Sequence, residues 1–195
     1  MPGETETADA AFGIGNLAFY RMCAEFPLHN DRDEVFNKLV FISRVYSVAR
    51  GLGGEWDSLA KAIVQNGTKL DEKILRARKK PFFQNVDAVV KCHSYLDRLV
   101  CSRLAKAGQT AHGRASFASK YLHFHAPDAF PILDTLACSG LREQTRGFRT
   151  SLKEPTPYAR FCERLAHYVQ KDRLETISLR HIDTQLVKLG RQKSA

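Results

Sequence analysis

Apolar positions recur at three- and four-residue steps along almost the whole chain and show no sustained alternation. In the segment 32–50, Val35, Leu39, Ile42, Tyr46 and Ala49 fall on one face of a helix. Asn30-Asp31 is placed to cap it, and Gly51, Gly53 and Gly54 to end it. The same spacing predicts helices over 8–24, interrupted by Gly13 and Gly15, over 55–65, stopped by Asn66-Gly67, and over 70–79, finishing before Pro81. Val86, Val89, Val90, Leu96, Leu99, Val100 and Leu104 predict one or two helices between Gln84 and Ala107. Further helices are expected over 116–124, from Asp134 to Glu143, from Pro155-Thr156-Pro157 to Gln170, and over 178–189, where Gly190 would close the last one. Hairpin dipeptides between β-branched runs are missing, so the fold class is all-α, with about eight to ten helices and no internal repeat.

The stretch 112–137, HGRASFASKYLHFHAPDAFPILDTLA, organises the rest. Its helix puts Phe117, Ala118, Tyr121, Leu122, Phe124 and His125 on one side, the side of the core. Ser116, Ser119, Lys120 and His123 fall on the other, where Lys120 and His123 face either a ligand or solvent. A break at Pro127-Asp128 follows, and the apolar run Phe130-Pro131-Ile132-Leu133 then delivers Asp134 and Thr135 to the start of another helix. Two uses of that carboxylate stand side by side. It can cap the helix it precedes, or it can serve a buried site, since buried carboxylates are uncommon unless paired or used.

Charge changes this picture more than composition does. Residues 1–35 hold seven acids and two bases, whereas 71–120 hold eleven bases and four acids. A basic face of that kind suits a polyanionic partner or a solvated surface. Arg76, Arg78, Lys79 and Lys80 close one helix, where they would complement its dipole or meet a phosphate. The five cysteines make no CxxC pair and sit in amphipathic patterns, as reduced core residues do. His123 and His125 are two apart, which on a helix points them in different directions, so no metal site is expected. No apolar run approaches a membrane span and the first residues carry no signal pattern, from which a cytoplasmic protein is expected.

The order of short turn, helix and then Pro-x-x-Asp-Thr opening another helix resembles the helix-hairpin-helix DNA glycosylases. In that family an aspartate in a V-D-T-H-like segment is catalytic, and Asp134 in Pro131-Ile132-Leu133-Asp134-Thr135 matches it. The family's L-P-G-x-G hairpin corresponds to Gln109-Thr110-Ala111-His112-Gly113, where Gly113 alone matches. Upstream, Phe41-Ile42-Ser43-Arg44-Val45-Tyr46-Ser47 is similar to the helix end and loop leading into the family's base pocket. The resemblance spans residues 32–190, and 112–137 is its specific part.

What the resemblance implies is a two-lobed fold with a cleft: a middle lobe over 30–128, and a second made of 1–29 plus 129–195 that carries Asp134. It implies a monomeric enzyme on double-stranded DNA that extrudes a damaged or modified base and hydrolyses its N-glycosidic bond. Gly113, Arg114, Lys120, Lys79, Lys80, Arg146 and Arg149 would hold DNA, and Arg44, Val45, Tyr46 and His123 would form the base pocket or wedge. Ala115 and Ser116 stand where bifunctional members place a Schiff-base lysine, and Lys120 lies too far along, which implies a monofunctional enzyme. The clustered cysteines of iron–sulfur members are absent, so no cofactor is expected. Prokaryotic relatives that depart this far from the repair pattern include antiviral enzymes acting on hypermodified phage DNA. The rival readings are a non-catalytic helical DNA-binding module and an RNA-directed helical protein.

Overall fold

A computed structural model describes residues 4–46, 54–108, 114–153 and 155–194. Nine α-helices account for most of them, and no strand occurs among the described residues. They are α1 Glu4–Glu25, α2 Arg32–Tyr46, α3 Trp56–Gln65, α4 Gly67–Arg78, α5 Val86–Lys106, α6 Ala115–His125, α7 Thr135–Gln144, α8 Pro157–Lys171 and α9 Leu179–Ser194. The all-α expectation is met. Val86 to Lys106 forms one helix rather than two, preceded by a short 3-10 turn at Phe82–Gln84. The expected ends of the 32–50 helix beyond Tyr46, and the turn Gln109 to Gly113, lie outside the described residues. Among the described residues no helix is long and apolar enough to cross a membrane.

Three glycines do not act as their sequence context suggests. Gly13 and Gly15 leave α1 uninterrupted, and α9 runs straight through Gly190 instead of ending there. The reason at Gly190 is packing. A Cβ there would fall on the carbonyl of Leu136, and one at Gly140 would fall on the carbonyl of Leu186, so α7 and α9 cross backbone against backbone at two glycines.

The chain divides into two compact units, 1–71 with 99–112 and 72–98 with 113–195, the divisions falling inside α4 and α5. In the first unit, Phe19 and Cys23 of α1, Val35, Leu39 and Ile42 of α2, and Leu59 and Ile63 of α3 are buried. Phe19 stacks on Phe41 with centroids 5.1 Å apart. Asp31 caps α2, its Oδ1 accepting from the amides of Asp33 and Glu34 at 2.8 and 2.9 Å, as Asn30-Asp31 led us to expect. Behind that cap the connector from α1 is tied down by buried polar groups. Lys38 is fully buried and donates to the carbonyls of Phe26 and Leu28, and buried His29 bonds both carboxylate oxygens of Asp71 through its ring and its amide.

In the second unit the core gathers Val89, Cys92, Leu96, Phe117, Tyr121, Leu122, Phe130, Leu141, Tyr158, Phe161, Leu165, Ile182 and Leu186. Pro157 lies in the first turn of α8, as the expected start at Pro155 to Pro157 has it, and Thr156 supplies the cap. Asn85 closes α4 by donating to the carbonyls of Arg76 and Ala77 at 3.0 and 2.9 Å.

Candidate active site

Segment 126–134 is not helical, so its backbone polar groups need partners from elsewhere. Three buried side chains supply them on the approach to Asp134. The His123 ring donates from Nδ1 to the Phe130 carbonyl at 2.8 Å, Tyr158 donates from its hydroxyl to the Pro131 carbonyl at 3.1 Å, and Ser119 accepts from the Leu133 amide at 3.0 Å. Ser119 in turn donates to the Ser116 carbonyl at 2.9 Å. Tyr158 is itself held by a stacked His93, centroids 3.6 Å apart, whose Nε2 donates to the Ala115 carbonyl at the start of α6. Burial pushes the imidazoles of His93 and His123 down to about 4, against the pull of the carbonyls they bond, so both are neutral donors at pH 7.

Asp134 emerges from this frame as the cap of α7. Its Oδ1 accepts from the amides of Leu136 and Ala137 at 2.8 and 3.4 Å. Two further charged groups lie close enough to influence one another and Asp134. Lys120 of α6, half-buried, donates to Ser116 Oγ at 2.8 Å, and desolvation pulls its ammonium below the usual lysine range while Asp134 and Asp183 oppose that shift. Asp183 of α9, also half-buried, has its carboxyl pushed up from 3.8 to about 7, first by desolvation and then by Asp134, against Lys120 and Arg180. Arg180 is exposed, so its charge is largely screened. Both carboxyls thus act on the one ammonium, and that ammonium acts in turn on Asp183.

The other residues singled out in the sequence are scattered more widely. His123 is 1% exposed and serves the backbone of the approach from within. Arg114 precedes α6, where its amide donates to Asp97 at 2.7 Å. Lys79 and Lys80 are exposed and line a cleft of about 340 Å³ with Arg78, Pro81, Pro127 and Asp128. Arg146 and Arg149 are exposed after α7, Arg146 in an ion pair with Glu143. Arg44 is exposed on α2 in the first unit. Gly113, and the side chains of Val45 and Tyr46, lie outside the described residues.

Asp183 is the member of the cluster that sequence reasoning passed over. It stands four residues after Leu179 and next to Ile182, on the border of the buried stripe Leu179, Ile182, Leu186, a place where a carboxylate needs a partner. The signal was there, but its partners lie about fifty residues earlier in the chain.

The shift at Asp183 has a stability consequence of definite sign. Between about 4 and about 7 the folded protein keeps a proton that the unfolded chain has released, so stability falls as pH rises through that window and the whole cost is present above it. Asp183→Asn is therefore expected to match the parent near pH 4 and to be more stable at pH 8 by about 1–3 kcal/mol, taking about 1.4 kcal/mol per decade and discounting for partial exposure. Urea denaturation at the two pH values measures it. Both proteins carry His93 and His123, so their difference isolates Asp183. A variant no more stable at pH 8 would show that attraction to Lys120 outweighs the burial of the carboxylate.

Comparison with family models, curated proteins and solved structures yields no match for this chain.

Proposed function

We propose that this chain is a monofunctional DNA N-glycosylase in which Asp134 is the catalytic carboxylate. The observation that carries the reading is the anchored approach: three buried side chains fix residues 130–133 and so hold Asp134 in one place, beside Lys120 and Asp183. Hydrolysis of an N-glycosidic bond passes through a sugar cation at C1′. Above about pH 7, where Asp183 is ionised, two carboxylates and one ammonium leave the site short of the positive charge that this cation brings, and a preorganised carboxylate stabilises it without reorganising. Asp134 orients the attacking water and takes its proton; the water oxygen bonds to C1′ as the bond to the base breaks, and the departing base gains a proton from solvent. Reaching C1′ this way requires the base to leave the stack, which costs a few kcal/mol and least for a damaged or mispaired base.

The DNA contacts fall to exposed bases of the second unit, Lys79, Lys80, Arg146 and Arg149, together with Arg114 near the start of α6. Each phosphate they neutralise steepens the salt dependence of binding. The test is mass spectrometry of free bases after incubation with damaged DNAs and phage-modified DNAs. The expected result is one base class released, with abasic strands left intact and no borohydride-trapped adduct on Lys120. Release from hypermodified phage DNA alone would place the protein in defence against phage. Salt-sensitive binding with no base released from any substrate would leave a binding module and overturn the enzymatic reading.

A further inference from the structure

Three arginines that the reading above does not use converge on one cavity. Arg142 near the end of α7 and Arg160 and Arg164, one turn apart on α8, line a cavity of about 420 Å³ whose other walls include Leu133, Cys138 and Phe161. No carboxylate among the described residues lines it. Among the described residues neither Arg142 nor Arg160 takes part in an ion pair.

Arg164 is different, and in an instructive way. Its guanidinium lies over the Phe148 ring at 5.4 Å and donates to Thr145 Oγ1 and the Phe148 carbonyl at 3.3 and 3.4 Å. Thr145, buried, donates onward to the Leu141 carbonyl at 2.6 Å. Arg164 is thus positioned before any ligand arrives, which lowers the ordering cost of binding. Its neighbours Arg142 and Arg160 are exposed and carry unspent charge. Three arginines lining one small concave space give it a positive potential that favours an anion with several acceptor oxygens over a neutral ligand. The apolar walls at Leu133 and Phe161 suit a ligand with an apolar or planar group beside the anion, and the volume is that of a small-molecule site.

We infer that this cavity is a binding site for a phosphate ester, gripped by Arg142, Arg160 and Arg164 with its organic group against Phe161 and Leu133. Leu133 immediately precedes Asp134, so a ligand seated there lies next to the carboxylate without using it. Nucleotides in solution and the backbone of a nucleic acid both offer this chemistry.

Calorimetric titration of the full chain tests the site with four probes: thymidine, thymidine 5′-monophosphate, inorganic phosphate and thymidylyl-thymidine, whose only phosphate is a diester. At least one of the two phosphate esters is expected to bind at least tenfold more tightly than thymidine. Binding by the monoester alone marks free nucleotides as the source; binding by the diester marks the nucleic-acid backbone. Arg142→Gln with Arg160→Gln is expected to lose at least tenfold in affinity with an unchanged melting temperature, since both side chains are exposed. The corresponding pair of lysines is expected to recover part of the loss, and Lys188→Gln, an exposed charge on α9, to change nothing. Asp134→Asn, which removes a negative charge beside the site, is expected to bind the phosphate esters no more weakly than the parent, so this result stands or falls separately from base release. Equal affinity for thymidine and both phosphate esters, or undiminished binding by the double glutamine variant, would overturn the site.

Discussion

Asp134→Asn is expected to lower base release by at least about a hundred- to a thousandfold while leaving DNA affinity and fold nearly intact. The substitution is chosen for what it keeps. Asparagine caps a helix about as well as aspartate, so the bonds from the amides of Leu136 and Ala137 have an acceptor in both proteins. What disappears is the negative charge at the mouth of α7, and with it the group proposed to stabilise a cation at C1′ and accept a proton from water. The stability change should stay below about 1 kcal/mol, the scale of an exposed charge at a helix end. Asp134→Ala removes both roles and should lower stability by about 1 kcal/mol as well as activity. If the asparagine variant released bases at the parental rate, Asp134 would be a cap and nothing more.

The helices were legible because their signals are local. Apolar spacing, Asp31 as a cap, the proline start of α8 and the Pro127-Asp128 break are all properties of a few neighbouring residues, and each reappears in the folded chain. The carboxylate at the helix entrance was legible for the same reason. Less so was the inner life of α6. Ser119 and His123 fall opposite the aromatic face, yet both are buried, because residues 130–133 fold back over that side and need polar partners there. A helical wheel shows two faces and does not tell which part of the chain will cover the second.

The same gap explains Asp183 and the arginine cavity. Asp183 gains meaning from Asp134 and from Lys120 of α6, and Arg142 gains it from Arg160 and Arg164, partners brought together by the packing of helices far apart in sequence, α7 against α8 and α9 among them. Taken alone, Arg160 is one more base on a helix whose outer face is polar throughout. Charge runs are therefore visible at Arg76 to Lys80, where four of five consecutive residues are bases, and invisible where the fold assembles them.

The sign of a single substitution separates an interior glycine with free space around it from one at a helix crossing. Inside α9 with room for a methyl, Gly190 would gain from alanine, since alanine is better than glycine inside a helix by about 1 kcal/mol. As a crossing point it has no room. The added methyl would strike the Leu136 carbonyl, a backbone group inside α7 that cannot move aside without shifting the whole helix. Gly190→Ala is accordingly expected to destabilise by about 2–4 kcal/mol, and Gly140→Ala, which meets the Leu186 carbonyl, by a similar amount. Gly13→Ala supplies the contrast, because nothing lies within 4 Å of the new methyl in α1 and the helix should gain up to about 1 kcal/mol. Denaturant unfolding of the three variants measures all of these, and a stabilised Gly190→Ala would refute the crossing. The consequence for function follows from what the two helices carry. Asp134 caps α7 and Asp183 rides on α9, so the glycine crossing sets how closely the two carboxyls approach. If the cluster holds the sugar cation as proposed, Gly140→Ala protein that still folds at low temperature should lose base release in addition to stability, because the cluster depends on that approach.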